Sequence, residues 1–320
     1  MHKPVIDVRQ LSKSFAALKA VQDASFAVQP GEIFGLIGPD GAGKTTLFRM
    51  LTSLMLPESG TASVLGLDIV KDYKQLRTRI GYMPGKFSLY QDLSVSENLE
   101  FFASVFGTTI RKNYALIEPI YKQIEPFRDR RAGALSGGMK QKLALCCALI
   151  HRPEVLFLDE PGTGVDPVSR KEFWDMLAGL RKFGITMLVS TPNMDEAALC
   201  DRIALMQKGE IMAVDTPQGI VSAYHHPLFA VRSDDMYRLM KDLRAFEGAA
   251  DCYAFGEFAH LKLASPNATT NLAANAGMAV MAISAYLSLK NHQNIQVKPA
   301  AATIEDCFIE LMREPVAASG

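Results

Sequence analysis

A glycine-rich segment near the N-terminus carries the residue types that bind phosphate. Residues 38–45, GPDGAGKT, fit the pattern G-x-x-x-x-G-K-[ST], and a short apolar run at 33–37 precedes them. An apolar pattern of helical spacing follows, so the segment is predicted to join a strand to a helix. Glycines let consecutive backbone N–H groups approach phosphate oxygens, and a helix N-terminus adds a favourable field. The segment therefore predicts a phosphate-binding loop; a glycine turn that only caps a helix is the alternative.

The residues of this loop have separate predicted roles. Lys44 is expected to neutralise β- and γ-phosphates, and the hydroxyl of Thr45 is expected to ligate magnesium. Asp40 is unexpected, because it places a carboxylate in a loop that binds anions. The predicted nucleotide-binding residues are Gly38, Pro39, Asp40, Gly41, Ala42, Gly43, Lys44, Thr45 and Thr46.

Two acidic residues end a second apolar run. Asp159 follows residues 155–158, where a carboxylate can reach a magnesium ion, and Glu160 comes next, where it can polarise an attacking water. Taken alone, Asp159 and Glu160 could equally be a pair that caps the next helix. Residues 135–141, LSGGMKQ, form a second glycine turn before an apolar helix, which is a second N-terminus suited to an anion. We therefore predict Glu160 as the catalytic residue and Asp159, with Thr45, as a metal ligand.

Apolar runs and turns alternate along the first two-thirds of the chain. Strands are predicted at 5–8, 25–28, 33–37, 155–158, 185–189 and 203–206. Residues 94–138 are predicted to be mostly helical. This alternation indicates an α/β fold with a mainly parallel sheet.

A turn-rich stretch at 216–227 separates this region from a different pattern. The predicted elements that follow are strand 228–232, helix 235–246, strands 251–255 and 258–263, helix 267–289, strand 295–298 and helix 304–312. The order β-α-β-β-α-β indicates a small α+β, ferredoxin-like domain. The predicted domains are therefore 1–220 and 227–315.

The composition excludes several classes of protein. The chain has 320 residues with 34 basic and 34 acidic side chains, so no basic excess favours nucleic acid as a partner. The hydrophobic fraction of 48% predicts a packed globular chain rather than a disordered one. Five scattered cysteines favour a reducing compartment. The start lacks an apolar targeting region, and the run at 272–289 is too weakly apolar to span a membrane, so we predict no crossing of the membrane.

Four motifs together resemble those of ABC transporter ATP-binding subunits. They are residues 38–46, 135–141, 155–160 and 164–167 (GVDP), and the resemblance covers about 5–216. It implies a P-loop NTPase of ABC type with a helical subdomain at about 87–150. It also implies ATP and Mg²⁺ as cofactors.

The resemblance further implies that two such domains pair head to tail. ATP would lie between the phosphate loop of one domain and residues of the other, with an aromatic residue stacked on adenine. The residues that match these roles are Ser136, Gly137, Gly138, Asp166 and, for the adenine, Phe15. The second ATP-binding domain would come from a homodimer, a heterodimer or the other half of a tandem chain.

Further segments resemble subunits of drug-exporter type. The end of the chain at 303–311 resembles the closing helix of their C-terminal domain, and the matching surface segments are 81–84, 89–90, 93–95 and 97–99. In the family this surface receives an integral-membrane permease. The resemblance therefore implies a cytoplasmic protein that is peripheral on the inner membrane. The alternative is that these surface residues form only a solvated loop and a helix cap.

Two positions depart from the family pattern. Gly85 stands where the family has a glutamine that ligates magnesium, and Pro192 stands where it has a histidine that contacts the γ-phosphate. Proline has neither a side-chain donor nor an ionisable group. The chain's own half-site is therefore predicted to be degenerate.

Three functions remain open from the sequence. In the first, the chain is a transport ATPase that hydrolyses ATP at its own loop. In the second, it is a nucleotide-binding structural half that completes a partner's site through Ser136, Gly137 and Gly138. The third, a soluble ABC ATPase of translation or DNA repair, is disfavoured by the neutral charge and the exporter-type C-terminal unit.

Overall fold

The computed structural model describes residues 3–264 and 276–313. The chain divides into two compact units between Gln218 and Gly219. This point lies in the turn-rich stretch that the sequence indicated, and the domain limits 1–220 and 227–315 stay a prediction. Within the described ranges, no helix has the length and apolar character that crossing a membrane requires.

The first unit alternates strands and helices. In chain order it contains β1 (Ile6–Phe15), β2 (Leu18–Val28), β3 (Ile33–Ile37), α1 (Lys44–Leu51), β4 (Ser59–Val64), β5 (Leu67–Asp68), α2 (Tyr73–Arg77), β6 (Ile80–Met83), α3 (Val95–Val105), α4 (Ile110–Tyr121), α5 (Gly137–Leu149), β7 (Val155–Asp159), α6 (Pro167–Leu180), β8 (Thr186–Thr191), β9 (Arg202–Gln207) and β10 (Glu210–Asp215). Short 3₁₀ helices lie at Glu125–Phe127, Ala132–Ala134, Arg181–Phe183 and Met194–Leu199.

A mainly parallel six-stranded sheet lies at the centre of this unit, as the sequence predicted. Its strand order is β10-β9-β3-β8-β7-β6, and all neighbours are parallel except the edge pair β9 and β10. In this register Asp159 lies opposite Ser190, and Ile37 lies opposite Thr191. The loops that follow β3, β7 and β8 therefore meet at one edge of the sheet, which is where the predicted site residues begin.

A second, antiparallel sheet of four strands was not predicted from the sequence. Its order is β2-β1-β4-β5. Register shifts interrupt the pairing of β1 with β2 after Val8, so the apolar alternation that marks a strand stops there although the strand continues. The two sheets share a core that includes Phe34, Phe48 and Phe157.

Helices α3, α4 and α5 lie within the stretch 87–150. Helix α3 starts with a capping box, because the side chain of Ser94 accepts from the Glu97 backbone N–H and the Glu97 carboxylate accepts from the Ser94 N–H. The side chain of Ser136 caps α5 by accepting from Met139 N–H at 3.4 Å. The mostly helical character of 94–138 is confirmed.

The second unit is a small α+β structure. It contains β11 (Leu228–Arg232), α8 (Met236–Arg244), β12 (Ala249–Phe255), β13 (Phe258–Leu263), α9 (Ala276–Leu289), β14 (Gln296–Pro299) and α10 (Ile304–Arg313), and α7 (Pro217–Ser222) spans the division. The antiparallel sheet has the order β12-β13-β11-β14, which is that of a split βαβ unit. The predicted helix 267–289 lies partly outside the described residues, at 267–275.

A buried carboxylate organises the polar interior of this unit. Asp306 is fully buried, and it accepts from Tyr253 Oη at 2.8 Å and lies 2.6 Å from His260 Nδ1. Thr303 donates to it from its backbone N–H and its hydroxyl, both at 2.7 Å. Burial by itself would raise the pKa of Asp306, but the hydrogen bonds from His260, Thr303 and Tyr253 hold that pKa below its ordinary value.

Replacing Asp306 by asparagine is expected to destabilise the chain in a pH-dependent way. A carboxyl group whose pKa falls on folding stabilises the folded state above its unfolded pKa, about 3.9 for aspartate, and this stabilisation is lost as pH falls through the folded pKa. Asp306→Asn should therefore cost about 3 kcal/mol of unfolding free energy at pH 7, as for a broken buried pair. Calorimetry of the full chain should show that the difference in Tm between Asp306→Asn and the unmodified chain becomes smaller below about pH 4.

The matched control is Asp234→Asn, at an exposed carboxylate that accepts from Asn294. It should shift Tm by little at any pH. A Tm difference between Asp306→Asn and the unmodified chain that stays constant from neutral to acidic pH would contradict the argument.

Candidate nucleotide-binding site

The loop between β3 and α1 adopts a conformation that requires glycine at two points. A Cβ atom at Gly38 would lie 2.1 Å from the Met206 carbonyl oxygen, and one at Gly43 would lie 2.1 Å from that of Ala20. Gly43 also has φ of 106°, in the left-handed region, and it caps the N-terminus of α1. The loop therefore packs its backbone directly against β9 and β2 at these two positions, which leaves no room for a side chain.

Lys44 is buried and has a partner for each of its ammonium protons. Its Nζ donates to the carbonyl oxygens of Gly38 at 2.7 Å and Pro39 at 3.0 Å. It also forms an ion pair with Glu160 Oε1 at 3.0 Å. The predicted phosphate ligand and the predicted catalytic carboxylate are thus paired with each other in this structure.

The predicted metal ligands Thr45 and Asp159 are also brought together. Thr45 Oγ1 donates to Asp159 Oδ1 at 3.2 Å, and Ser190 Oγ donates to the same oxygen at 2.7 Å. Burial raises the pKa of Asp159, and the hydrogen bonds from Ser190 and Thr45 oppose that effect. A hydroxyl and a carboxylate form an oxygen set of the kind that Mg²⁺ prefers.

Ser190 also fixes Glu160, a role that sequence reasoning missed. The Glu160 backbone N–H donates to Ser190 Oγ at 2.9 Å and to the Ser190 carbonyl oxygen at 3.1 Å. These bonds hold Glu160 with φ of 50°, an uncommon conformation for a residue other than glycine. The sequence shows that Ser190 lies near the end of the predicted strand that follows the one before Asp159. It does not show that these two strands pair, so this contact could not be predicted.

A cavity of about 620 Å³ opens in front of the loop. Residues 41–46, Glu160 and Phe15 line it, and Ala20 and Lys208 contribute further surface. The Phe15 ring is 45% exposed, with Lys13 Nζ 5.9 Å from its centroid. The structure therefore brings the predicted aromatic residue to the same cavity as most of the phosphate loop, while Gly38, Pro39 and Asp40 lie outside its lining.

The other predicted residues lie apart from this cavity. Ser136, Gly137 and Gly138 begin α5, and a Cβ at Gly138 would come within 2.9 Å of Ser169 Oγ on α6. Asp166 caps α6 by accepting from the backbone N–H groups of Val168 and Ser169. Within the described ranges, none of these four predicted residues lines the cavity.

The two positions that depart from the family pattern have distinct surroundings. A Cβ at Gly85 would lie 2.9 Å from the Asp159 carbonyl oxygen, so the loop after β6 approaches the end of β7 closely. Pro192 is exposed at the end of β8. The next residue, Asn193, uses its side chain to accept from Asp195 N–H at 3.1 Å, which caps the following 3₁₀ helix.

The strand, glycine loop and helix, with a buried lysine and paired hydroxyl and carboxylate ligands, define a P-loop nucleotide-binding protein. The cavity lined by residues 41–46 fits phosphate, and the paired hydroxyl and carboxylate oxygens fit magnesium.

Comparisons with known proteins identify the family. The family model described as ABC transporter matches residues 21–163. The chain is 38% identical over 245 residues to the Nod factor export ATP-binding protein I of Burkholderia lata, covering 75% of this chain and 81% of that protein. It is 44% identical over 221 residues to the probable multidrug ABC transporter ATP-binding protein YbhF of Escherichia coli K12, covering 68% of this chain. The chain spans 38% of the length of YbhF.

A solved structure agrees with these relatives. The cbiO1 protein of Clostridium perfringens, part of the ABC transporter complex cbiONQ, has a TM-score of 0.62 and 25% identity over 69% of this chain and 92% of that one. The chain belongs to the ABC transporter family, as an ATP-binding protein. The ABC fold that the sequence predicted is confirmed.

Proposed function

We propose that the chain is the ATP-binding subunit of an ABC export system and works with a second ATP-binding domain and a separate membrane permease. The observation that carries the proposal is the joint placement of residues 41–46, Glu160 and Phe15 around one cavity. The relatives named for export of Nod factor and for multidrug transport support the export role.

ATP binding at this site would begin with an exchange of partners at Lys44. In this structure Glu160 neutralises its ammonium group at 3.0 Å. Incoming phosphate oxygens carry more negative charge than one carboxylate, so Lys44 would turn to them. Glu160 would then be free to accept a proton from the attacking water.

Thr45 and Asp159 would hold a magnesium ion in the same site. When bound, the ion neutralises charge that develops on the phosphate oxygens. Ser190, on β8, holds the Asp159 carboxylate and the backbone N–H of Glu160 at the end of the neighbouring strand β7. We therefore expect this site to bind the nucleotide.

The chain's own half-site would nevertheless hydrolyse ATP slowly. Neither Gly85 nor Pro192 offers a polar side chain, and Asn193 is engaged as a helix cap. Stabilisation of the phosphoryl-transfer transition state is largely electrostatic, so losing two polar groups should slow hydrolysis more than binding. Residues 136–138 would instead complete the site of an intact partner.

An apolar groove on the first unit supports attachment to a permease. It has a volume of about 360 Å³, and Met83, Pro84, Leu89, Phe102 and Val105 contribute to its lining. Met83, Pro84 and Leu89 belong to the segments that resemble subunits of drug-exporter type. By contrast, the segment at 93–99 serves local structure in part, because its polar side chains form the cap of α3.

Substitution of Val105 by glutamate should abolish membrane attachment. This side chain is 60% exposed at the end of α3 and lines the groove, so a charge there should cost little stability but should oppose burial against a partner. We expect the unmodified chain to sediment with membranes only when it is co-expressed with its partner permease. Val105→Glu should remain in the supernatant, as judged by quantitative immunoblotting.

The matched control is Val70→Glu, at a valine that is 41% exposed and outside the groove. It should sediment like the unmodified chain. Binding of the unmodified chain to protein-free liposomes, or equal sedimentation of both variants, would count against permease attachment and would favour a direct lipid anchor or a soluble ABC ATPase.

A further inference from the structure

The loop of residues 161–165 joins Glu160 to Asp166 and is surrounded by buried polar atoms that lack partners. In the part of the chain that the structure describes, Gln141 Oε1, Arg170 Nε and Glu196 Oε2 are buried and form no hydrogen bond. Buried polar groups are nearly always paired, and an unpaired one costs about 1–3 kcal/mol. Their grouping around one loop therefore requires an explanation.

Two of the three side chains form hydrogen bonds to the loop, and the third packs against it. Gln141 Nε2 donates a short hydrogen bond to the Pro161 carbonyl oxygen. Arg170 Nη2 donates to the Val165 carbonyl oxygen at 3.3 Å. Glu196 Oε1 lies 3.0 Å from the point where a Cβ at Gly162 would stand, so its carboxylate lies directly against the loop. The two ends of the loop are thus hydrogen-bonded to α5 and α6, and the Glu196 carboxylate packs against Gly162.

Arg170 and Glu196 form an ion pair behind the loop, but a loose one. Arg170 Nε lies 3.6 Å from Glu196 Oε1, which is beyond hydrogen-bond range. Glu196 is only 4% exposed. The Arg170 side chain is 32% exposed, so this loose pair gains little stability from charge attraction, and placement of the loop explains it better.

We propose that Arg170 and Glu196 are positioning residues that set the loop 161–165 and thereby place Glu160 and Asp166 relative to each other. A shift of the loop that brings Arg170 Nε and Glu196 Oε1 within hydrogen-bond range would satisfy one of the unpaired atoms. Because the loop connects both residues directly, such a shift would move Glu160 at the chain's own phosphate loop and Asp166 at the start of α6 together. The catalytic consequence of this inference rests on the proposed ATPase function. The effect of the two residues on the position of the loop does not.

Electron paramagnetic resonance of a spin label on the loop tests the proposal without nucleotide. Thr163 is exposed, and the five native cysteines are buried, so Thr163→Cys gives one reactive thiol. Burial raises the pKa of Cys252 and of Cys307 to about 11, which keeps them largely protonated at neutral pH. In this labelled chain, Glu196→Gln and Arg170→Met should each make the label more mobile. The double variant should be no more mobile than Arg170→Met alone, because Arg170→Met removes both the bond to Val165 and the partner of Glu196.

The matched control is Glu172→Gln, which removes the partner of Lys142 in an exposed ion pair between α5 and α6. It should leave the spectrum unchanged. If Arg170→Met fails to fold, Arg170→Lys replaces it, because it keeps the charge but loses the planar fork that reaches Val165. An unchanged spectrum in Glu196→Gln, or additive effects of the two changes, would overturn the proposal.

Turnover kinetics give the catalytic readout of the same variants. Misplacement of catalytic groups should lower kcat for Mg-ATP by about tenfold in Glu196→Gln. KM should change by less than about twofold, because the phosphate loop is intact. Glu196→Asp, which keeps the charge, should recover part of kcat. If every variant, the control Glu172→Gln included, lost kcat in proportion to its loss of Tm, Arg170 and Glu196 would have a merely structural role. If the unmodified chain did not bind ATP, the proposed function would be contradicted, but the loop measurement would remain valid.

Discussion

The Lys44→Ala variant is expected to bind Mg-ATP about 10- to 150-fold more weakly than the unmodified chain. That range corresponds to the loss of about 1.5–3 kcal/mol, the usual worth of hydrogen bonds to a charged group. Lys44 is the buried cation next to the space in front of the glycine loop, and it already spans from Gly38 and Pro39 to Glu160. Isothermal titration calorimetry measures the change.

The fold of this variant needs its own measurement, because alanine removes the buried ammonium group from the Gly38 and Pro39 carbonyl oxygens and from Glu160. Thermal unfolding of Lys44→Ala should remain cooperative. Lys182→Ala, at an exposed lysine on the 3₁₀ helix Arg181–Phe183, is the control and should bind ATP as the unmodified chain does. Equal affinity in Lys44→Ala and the unmodified chain would contradict the assignment of the phosphate loop.

Restoring the two missing polar side chains should increase hydrolysis by the isolated chain about a hundredfold, since one transition-state donor contributes about 10²–10³ in kcat. The double variant Gly85→Gln/Pro192→His supplies an amide and an imidazole. Because both would stabilise the same transition state, their effects should not be additive. Phosphate release from Mg-ATP measures the rate.

The structure adds a steric condition to this experiment. A side chain at position 85 must displace the loop slightly, because its Cβ would lie 2.9 Å from the Asp159 carbonyl oxygen. Gly85→Ala/Pro192→Ala places the same Cβ atom at position 85 without either polar group, and it should not increase the rate. An increase of equal size in this alanine pair would show that loop displacement, not the restored chemistry, is responsible.

The sequence predicted the parts of the site that lie in continuous segments. The phosphate loop, Asp159 and Glu160 are recognisable because each follows an apolar strand, and the structure brings them together with Thr45. The split βαβ order of the second unit was also legible from its pattern of strands and helices.

The parts that were missed depend on contacts between distant segments. The antiparallel sheet was not predicted, because register shifts end the alternation of β1 after Val8. Ser190 had no recognisable role until strand pairing placed it beside Asp159. The pairing of Lys44 with Glu160 likewise joins residues more than a hundred positions apart, and no local pattern encodes it.

The unmodified chain in the hydrolysis series gives the most direct test of the claim that this subunit binds ATP at a half-site built for slow hydrolysis. Calorimetry and phosphate release are measured on the same purified chain. We predict saturable Mg-ATP binding with turnover far below the common enzyme range, which starts at about 1 per second. Turnover at about 1 per second or faster by the unmodified chain alone would contradict a degenerate site. It would make the chain a transport ATPase that works at its own phosphate loop.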